Sequence, residues 1–444
     1  MHPAAEWLEE LYDFLRIPSI SASAGHAADV RLAAQWVCDF IVAAGGACVV
    51  RETESGFPLA DGSFAASVRP EAAPSVLVYG HCDVQPAGDL GLWHSDPFEP
   101  EIRDGYIYGR GSVDDKGNLY LLLRAAADLA MNGELPVNIR LLCDSEEEIG
   151  GHSVVDFLES DDVRADACVI FDSMMPRLDS PSFEIGTRGL AYFQVEVTTG
   201  ERDLHSGLFG GAALNAAHVL MDVLGSVTSV PDELRAGVIP PSESEIESWL
   251  ELDRSASLLL EDGGRPRPDV GEQGFYEAIV AEPAVDVNGI ITGESELVKT
   301  VLPVQARANV SIRLAPGQDT DEIVAAFERL LRNAAPAEAD LSITCVNASA
   351  ASRVDPDAPA LRLAREAFEK AVGRKPLFTR SGGTIPIMPA LAAREIPTVL
   401  SGFGSPGHNM HSPNERFLAR YLPLGISAAS EMFKRFGELG HDGT

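Results

Sequence analysis

The sequence predicts an α/β protein: a mostly parallel sheet with helices on both faces, interrupted by an inserted two-layer α+β domain. Three observations predict it. Helical and strand-like segments alternate between residues 28 and 175, as in a parallel sheet with helical crossovers. Near Gly186 the pattern changes to strict two-residue alternation, the mark of half-exposed antiparallel strands. After Asp355 the helix–strand alternation returns. The expected division is therefore a discontinuous body, residues 1–186 and 355–444, and an insert, residues 187–354.

The elements follow in order. The segment MHPAAEWLEELYDFLRI reads as an amphipathic helix, with Trp7, Leu8, Leu11, Phe14 and Leu15 on one face. It has neither the basic start nor the apolar centre of a signal peptide. Residues 31–44 form a second amphipathic helix, closed by Gly45 and Gly46. Residues 75–79 (SVLVY) are a buried strand between Pro74 and Gly80. A helix over 119–131 and strands over 137–143 and 167–171 complete the first half. In the insert, residues 191–198 (AYFQVEVT) and 306–314 (ARANVSIRL) alternate as strands. They are followed by helices at 212–224 and 320–333, and a further strand at 341–346. The Pro-, Ser- and Glu-rich stretch 230–290 gives no clear assignment. The closing elements are a helix at 360–372, a strand at 398–401 and a helix at 421–436.

Bulk properties bound the function. With 444 residues, 45 % of them hydrophobic, the chain exceeds the ~250–300 residues at which one core stops growing, so two domains are expected. No apolar stretch reaches the ~18–20 residues of a membrane span. The net charge of −33, with Lys and Arg scattered, disfavours nucleic acid and anionic membrane surfaces as partners. Six cysteines, none in a CxxC pair, read as reduced core residues. These features place the protein in the cytoplasm.

In parallel sheets, functional groups collect beyond the carboxyl ends of the strands. Here His81 and Asp83 follow SVLVYG, Glu146, Glu147 and Glu148 follow NIRLLCDS, Asp172 follows ACVIF, and His408 and His411 follow TVLSGFG. Asp114 and Asp115 sit in the glycine-bounded loop GRGSVDDKG before a helix. Singly, a His–x–Asp pair or a glutamate run is commonplace on surfaces. Gathered at strand ends, several carboxylates would repel unless cations neutralised them. Histidine nitrogens mixed with carboxylate oxygens suit zinc, and a shared carboxylate can hold two ions roughly 3.5–4 Å apart.

These residues fall in segments that resemble one zinc-dependent family. It contains carnosine-type dipeptidases, aminoacylases, acetylornithine deacetylases, succinyl-diaminopimelate desuccinylases and glutamate carboxypeptidases. The matching segments, in the family's order, are YGHCDVQP (79–86), LWHSDPFEP (92–100), YGRGSVDDKGN (108–118), DSEEEIGG (144–151), FDS (171–173), DLHSGLFGG (203–211), KTVLPVQA (299–306), SIRLAPGQ (311–318), RSGGTIP (380–386) and HSPNE (411–415). The DLHSGLFGG and GGTIP segments look closest to the dipeptidase branch.

The resemblance implies a role for each position. His81, Asp114 and Asp172 would hold one metal, and Asp114, Glu148 and His411 the other, with Asp114 bridging. The expected cofactors are two divalent ions, zinc first, with manganese and cobalt as alternatives. Asp83 would orient the His81 ring. The peptide after Asp114 would be cis. Glu147 would be the general base, because EEIGG aligns with two acids, a further residue and Gly; Glu146 would be an extra acid. His408 is the alternative to His411, and HSPNE favours the latter. His205 would reach a neighbouring subunit's site to stabilise an oxyanion, which makes the insert a dimerisation domain. Thr300 would also cross that interface. Arg313 would grip a substrate carboxylate, with Gly383 and Thr384 at the same end. One departure is Ser381, where the family's dipeptidases often carry an acid.

The function implied is hydrolysis of a dipeptide beside its free carboxylate. The alternative is an N-acyl amino acid deacylase using the same machinery. A non-catalytic ligand-binding member is a third reading, which the presence of Glu147 and every ligand argues against.

Overall fold

The computed structural model describes residues 4–160, 164–252, 259–260, 264–268, 270, 274–294, 296–383 and 385–440. Its central six-stranded sheet runs Ala47–Arg51, Leu59–Phe64, Asn138–Asp144, Ser75–His81, Ala167–Phe171 and Thr398–Ser401. The last four strands pair in parallel and the first two are added antiparallel at one edge. The parallel strands are continuous apolar runs, as a sheet covered on both faces requires. The helix Ala27–Ala43 packs on the antiparallel edge, Lys116–Met131 on Ser75–His81, and Ser153–Ser160 on Asn138–Asp144.

One glycine brings helix and strand together where the candidate ligands lie. A Cβ on Gly80 would come within 2.8 Å of both Asp115 Oδ2 and a Leu119 methyl, so only glycine lets the Lys116–Met131 helix approach the strand end so closely. At the other end of the same turn, a Cβ on Gly117 would stand 1.9 Å from the Ser112 carbonyl oxygen.

A second sheet of four antiparallel strands runs Ala284–Thr292, Gln305–Leu314, Gly189–Thr198 and Asp340–Ser349. Its inward residues Ala191, Phe193, Val195 and Val197 are fully buried in an apolar cluster separate from the main one. Helices Ala216–Gly225 and Thr320–Ala334 pack on it, with the Phe193 and Phe327 ring centroids 4.5 Å apart. Ala284–Thr292 escapes sequence reading because it is an edge strand, mostly exposed, whose alternation breaks at Asn288 and Gly289. A three-stranded sheet of Ser352–Arg353, Ser182–Thr187 and Leu377–Ser381 lies where the chain passes between the two larger sheets. Another joins Arg416–Leu418, Tyr106–Tyr108 and Glu101–Arg103, strands of three residues each, too short to show alternation.

The expectation that all the cysteines are reduced is corrected. Cys38 and Cys48 form a disulfide, with Cα atoms 5.0 Å apart. The turn at Gly45 and Gly46 folds the end of the Ala27–Ala43 helix back along the edge strand, so residues ten apart meet. Cys82, Cys143 and Cys168 are free and buried, and Cys345 is free and half-buried. Among the described residues, no helix is long and apolar enough to cross a membrane.

Candidate metal centre

Each parallel strand delivers one part of the centre from its carboxyl end. His81 closes Ser75–His81; Glu147 and Glu148 begin a short turn just past Asn138–Asp144; Asp172 follows Ala167–Phe171; His411 lies on the loop after Thr398–Ser401. Asp114 comes from the loop before Lys116–Met131, and the Asp114–Asp115 peptide is cis.

Two groups of donors converge. The ligand atoms of His81, Asp114 and Asp172 all lie within 4.8 Å of one another, as do those of Asp114, Glu148 and His411. Asp114 belongs to both. Its Oδ1 is 3.1 Å from His81 Nε2, and its Oδ2 is 2.7 Å from His411 Nε2. Glu148 Oε2 stands 3.1 Å from the same His411 nitrogen, and Glu147 Oε2 is 4.0 Å from His81 Nε2. Asp83 sits behind His81, its Oδ1 3.3 Å from Nδ1, while its carboxylate accepts the backbone N–H groups of Glu147 and Glu148.

The electrostatics are those of a crowded acid cluster. Burial, with Asp114 and Glu148 adjacent, pushes the Glu147 carboxyl up to about 7. Burial, with Asp115 adjacent, pushes Asp172 well above the carboxylate range. Burial acts to lower the His81 pKa, but hydrogen bonds to Asp114 and Asp83 outweigh it and raise it well above the usual value. Hydrogen bonds to Asp114 and Glu148 raise His411 to about 10. Divalent cations would offset this negative charge and take the same lone pairs, and mixed nitrogen and oxygen donors in two groups with a shared carboxylate fit them.

The remaining expected residues lie elsewhere. His408 is buried against Ser405, its Nε2 2.9 Å from the hydroxyl, and belongs to neither group. Glu146 is buried and accepts the Ser153 N–H at 2.8 Å, a structural task. His205 is exposed on Leu204–His205, which pairs with Val301–Leu302; Ser206 beside it donates to the Thr300 carbonyl. Arg313 is half-buried on the four-stranded sheet, facing Asp286. Gly383 donates its N–H to the Ser381 hydroxyl. Thr384 lies outside the described residues.

Three residues were missed. Gln85 donates from its side chain at 2.8 Å and its backbone at 3.2 Å to the Glu148 carboxylate; it stands in the quoted YGHCDVQP segment. Arg188 donates to the Gly382 carbonyl at 3.2 Å, beside the Ser381–Gly383 turn. Glu415 closes HSPNE, is fully buried and accepts the Asp114 N–H at 3.2 Å.

A family model described as peptidase family M20/M25/M40 matches residues 77–435. The chain belongs to this family. It is therefore a hydrolase acting on peptide bonds, and the family implies a divalent metal. Among its relatives is a cysteinylglycine-S-conjugate dipeptidase of Corynebacterium striatum, 28 % identical over 82 % of each chain. Another is a human beta-Ala-His dipeptidase, 30 % identical over 77 % of this chain and 71 % of that one. A solved M20 family metallo-carboxypeptidase from Sulfolobus solfataricus superposes with a TM-score of 0.82 at 25 % identity, covering 98 % of this chain and all of that one. Human carnosine dipeptidase 1 shares the fold, with a TM-score of 0.76 at 24 % identity over 98 % of this chain and 96 % of that one.

Proposed function

We propose that the protein is a two-metal dipeptidase that cleaves the peptide bond of a small substrate beside its free carboxylate. The observation that carries this reading is the division of Asp114 between two donor groups, one carboxylate oxygen toward each histidine. His81, Asp114 and Asp172 would hold one divalent ion, and Asp114, Glu148 and His411 the other. The donor set favours zinc, with manganese and cobalt as alternatives. When bound, the ions polarise the scissile carbonyl and lower the pKa of the attacking water.

The chain's own groups supply the rest. Glu147 takes a proton from that water and delivers it to the leaving amine nitrogen. Asp83 holds the His81 ring and the turn bearing both glutamates. Arg313 grips the substrate carboxylate, with Gly383 and Thr384 at the same end. We assign residues 1–186 and 355–444 to the metal-binding body and 187–354 to a dimerising insert. His205 and Thr300 on that insert would serve the partner subunit's site. Exposed Leu208 and Phe209 beside His205, and exposed Leu297 and Val298 beside Thr300, support an interface there.

Ser381 keeps the deacylase reading alive: its hydroxyl is turned onto its own loop, and it offers no acid to a free amine. An amine-release assay across matched dipeptides and N-acyl amino acids, with metal content measured in parallel, decides between them. Dipeptide turnover is expected; turnover confined to N-acyl substrates would select the deacylase. Glu147→Gln is expected to keep its metal and lose about 10²–10⁴-fold in kcat. Parent-like turnover by that variant would remove Glu147 as the base.

A further inference from the structure

Glu415 is fully buried, and every donor its carboxylate accepts comes from one short loop. Oε2 accepts Arg110 Nη1 at 2.6 Å and the Gly111 N–H at 3.1 Å. Oε1 accepts the Val113 N–H at 2.9 Å and the Asp114 N–H at 3.2 Å. Four donors saturate a carboxylate, and the last belongs to the bridging residue itself. Arg110, also buried, neutralises the charge and reaches on to the Pro86 carbonyl at 3.2 Å, next to Gln85. On the far side of the loop, Asn118 donates to the Val113 carbonyl at 2.7 Å.

Glu415 stands four residues after His411. Its own carbonyl accepts the Gly109 N–H, and Arg416–Leu418 pairs with Tyr106–Tyr108. Two segments some 300 residues apart in sequence, one carrying Asp114 and the other His411, are thus joined by backbone pairing and, at Asp114 itself, by the Glu415 side chain. Asp114 must aim one oxygen at His81 and the other at His411, so small rotations of its backbone would open both groups.

We propose that Glu415 is a positioning residue: its carboxylate sets the orientation of Asp114 relative to His411 and thereby the affinity of the centre for divalent cations. Glutamine at 415 would keep the shape but turn an NH₂ donor toward N–H donors. Loss of an outer partner of this kind typically weakens metal binding by 10–100-fold.

The proposal rests on the reading of Asp114 and His411 as ligands, and calorimetric titration of the metal-free full-length protein with Co²⁺ separates the two. The parent is expected to bind two equivalents and to show visible Co²⁺ absorption. Glu415→Gln, shown folded by circular dichroism, is expected to bind at least one equivalent about 10–100-fold more weakly, with shifted Co²⁺ bands. Glu415→Asp, which keeps the charge opposite Arg110 but is one methylene short, is expected to fold and fall between them. It serves as the deciding variant should the glutamine variant fail to fold. Parent-like affinity and spectrum in a folded variant would overturn the proposal while leaving the metal centre standing. A parent protein that binds no Co²⁺ would overturn both.

Discussion

Two histidines three residues apart have opposite surroundings. His411 is half exposed and is drawn upward to about 10 by the carboxylates it faces. His408 is enclosed by Ser405, Tyr106, Phe417 and Tyr421, and burial, with Arg416 close by, lowers it to about 4. Between pH 4 and 6.5 the unfolded chain therefore holds more protons at His408 than the folded one, and stability falls as pH drops through that window. Urea midpoints measured from pH 7 to 4.5 should decline less steeply for His408→Asn than for the parent; identical slopes would show that His408 does not titrate on unfolding. HSPNE favoured the histidine that lies against Asp114 and Glu148, but no local pattern revealed that the other is enclosed by the rings of Tyr106, Phe417 and Tyr421.

At the scale of elements, the helix Glu243–Leu250 combines a local start signal with a long-range contact. It lies in the Pro-, Ser- and Glu-rich stretch that gave no assignment. Yet Ser242 and Glu245 form a capping box, whose S-x-x-E spacing is a recognised helix start. Glu245 has a second task that spacing could not reveal: it is buried against Arg380, with contacts of 2.5 and 3.2 Å. Arg380 also donates to the carbonyls of Ile239 and Pro240. This pair ties the helix to the strand that leads into Ser381–Gly383. Glu245→Ala would leave the Arg380 charge buried without its acid, at a cost of about 3–5 kcal/mol. Denaturant unfolding measures it, and a loss under 1 kcal/mol would mean that the pair is relieved by solvent.

At the scale of the whole molecule, His205, Thr300 and Arg313 belong to the proposed insert, whereas both donor groups and Gly383 belong to the proposed body. His205 is exposed and lies in neither donor group, and the proposed function assigns it to the site of a second copy of the chain. His205→Ala is expected to leave folding and the mass of the proposed dimer unchanged and to lower kcat by about 10²–10³-fold, the usual loss for one oxyanion donor. Sedimentation and steady-state kinetics test it together; an unchanged kcat would remove His205 from the reaction.

The sequence alone determined which residue types stand at which strand ends, because an apolar run followed by glycine and an acid or histidine is a local pattern. It determined the alternating strands 191–198 and 306–314 for the same reason, since side-chain period follows from backbone geometry. Only the tertiary structure decided the distances at which Asp114 faces two histidines at once, that Gln85 donates to Glu148 and Asp114 to Glu415, and that Cys38 meets Cys48. Those are contacts between segments whose approach depends on the packing of everything between them, and no window of neighbouring residues carries that information.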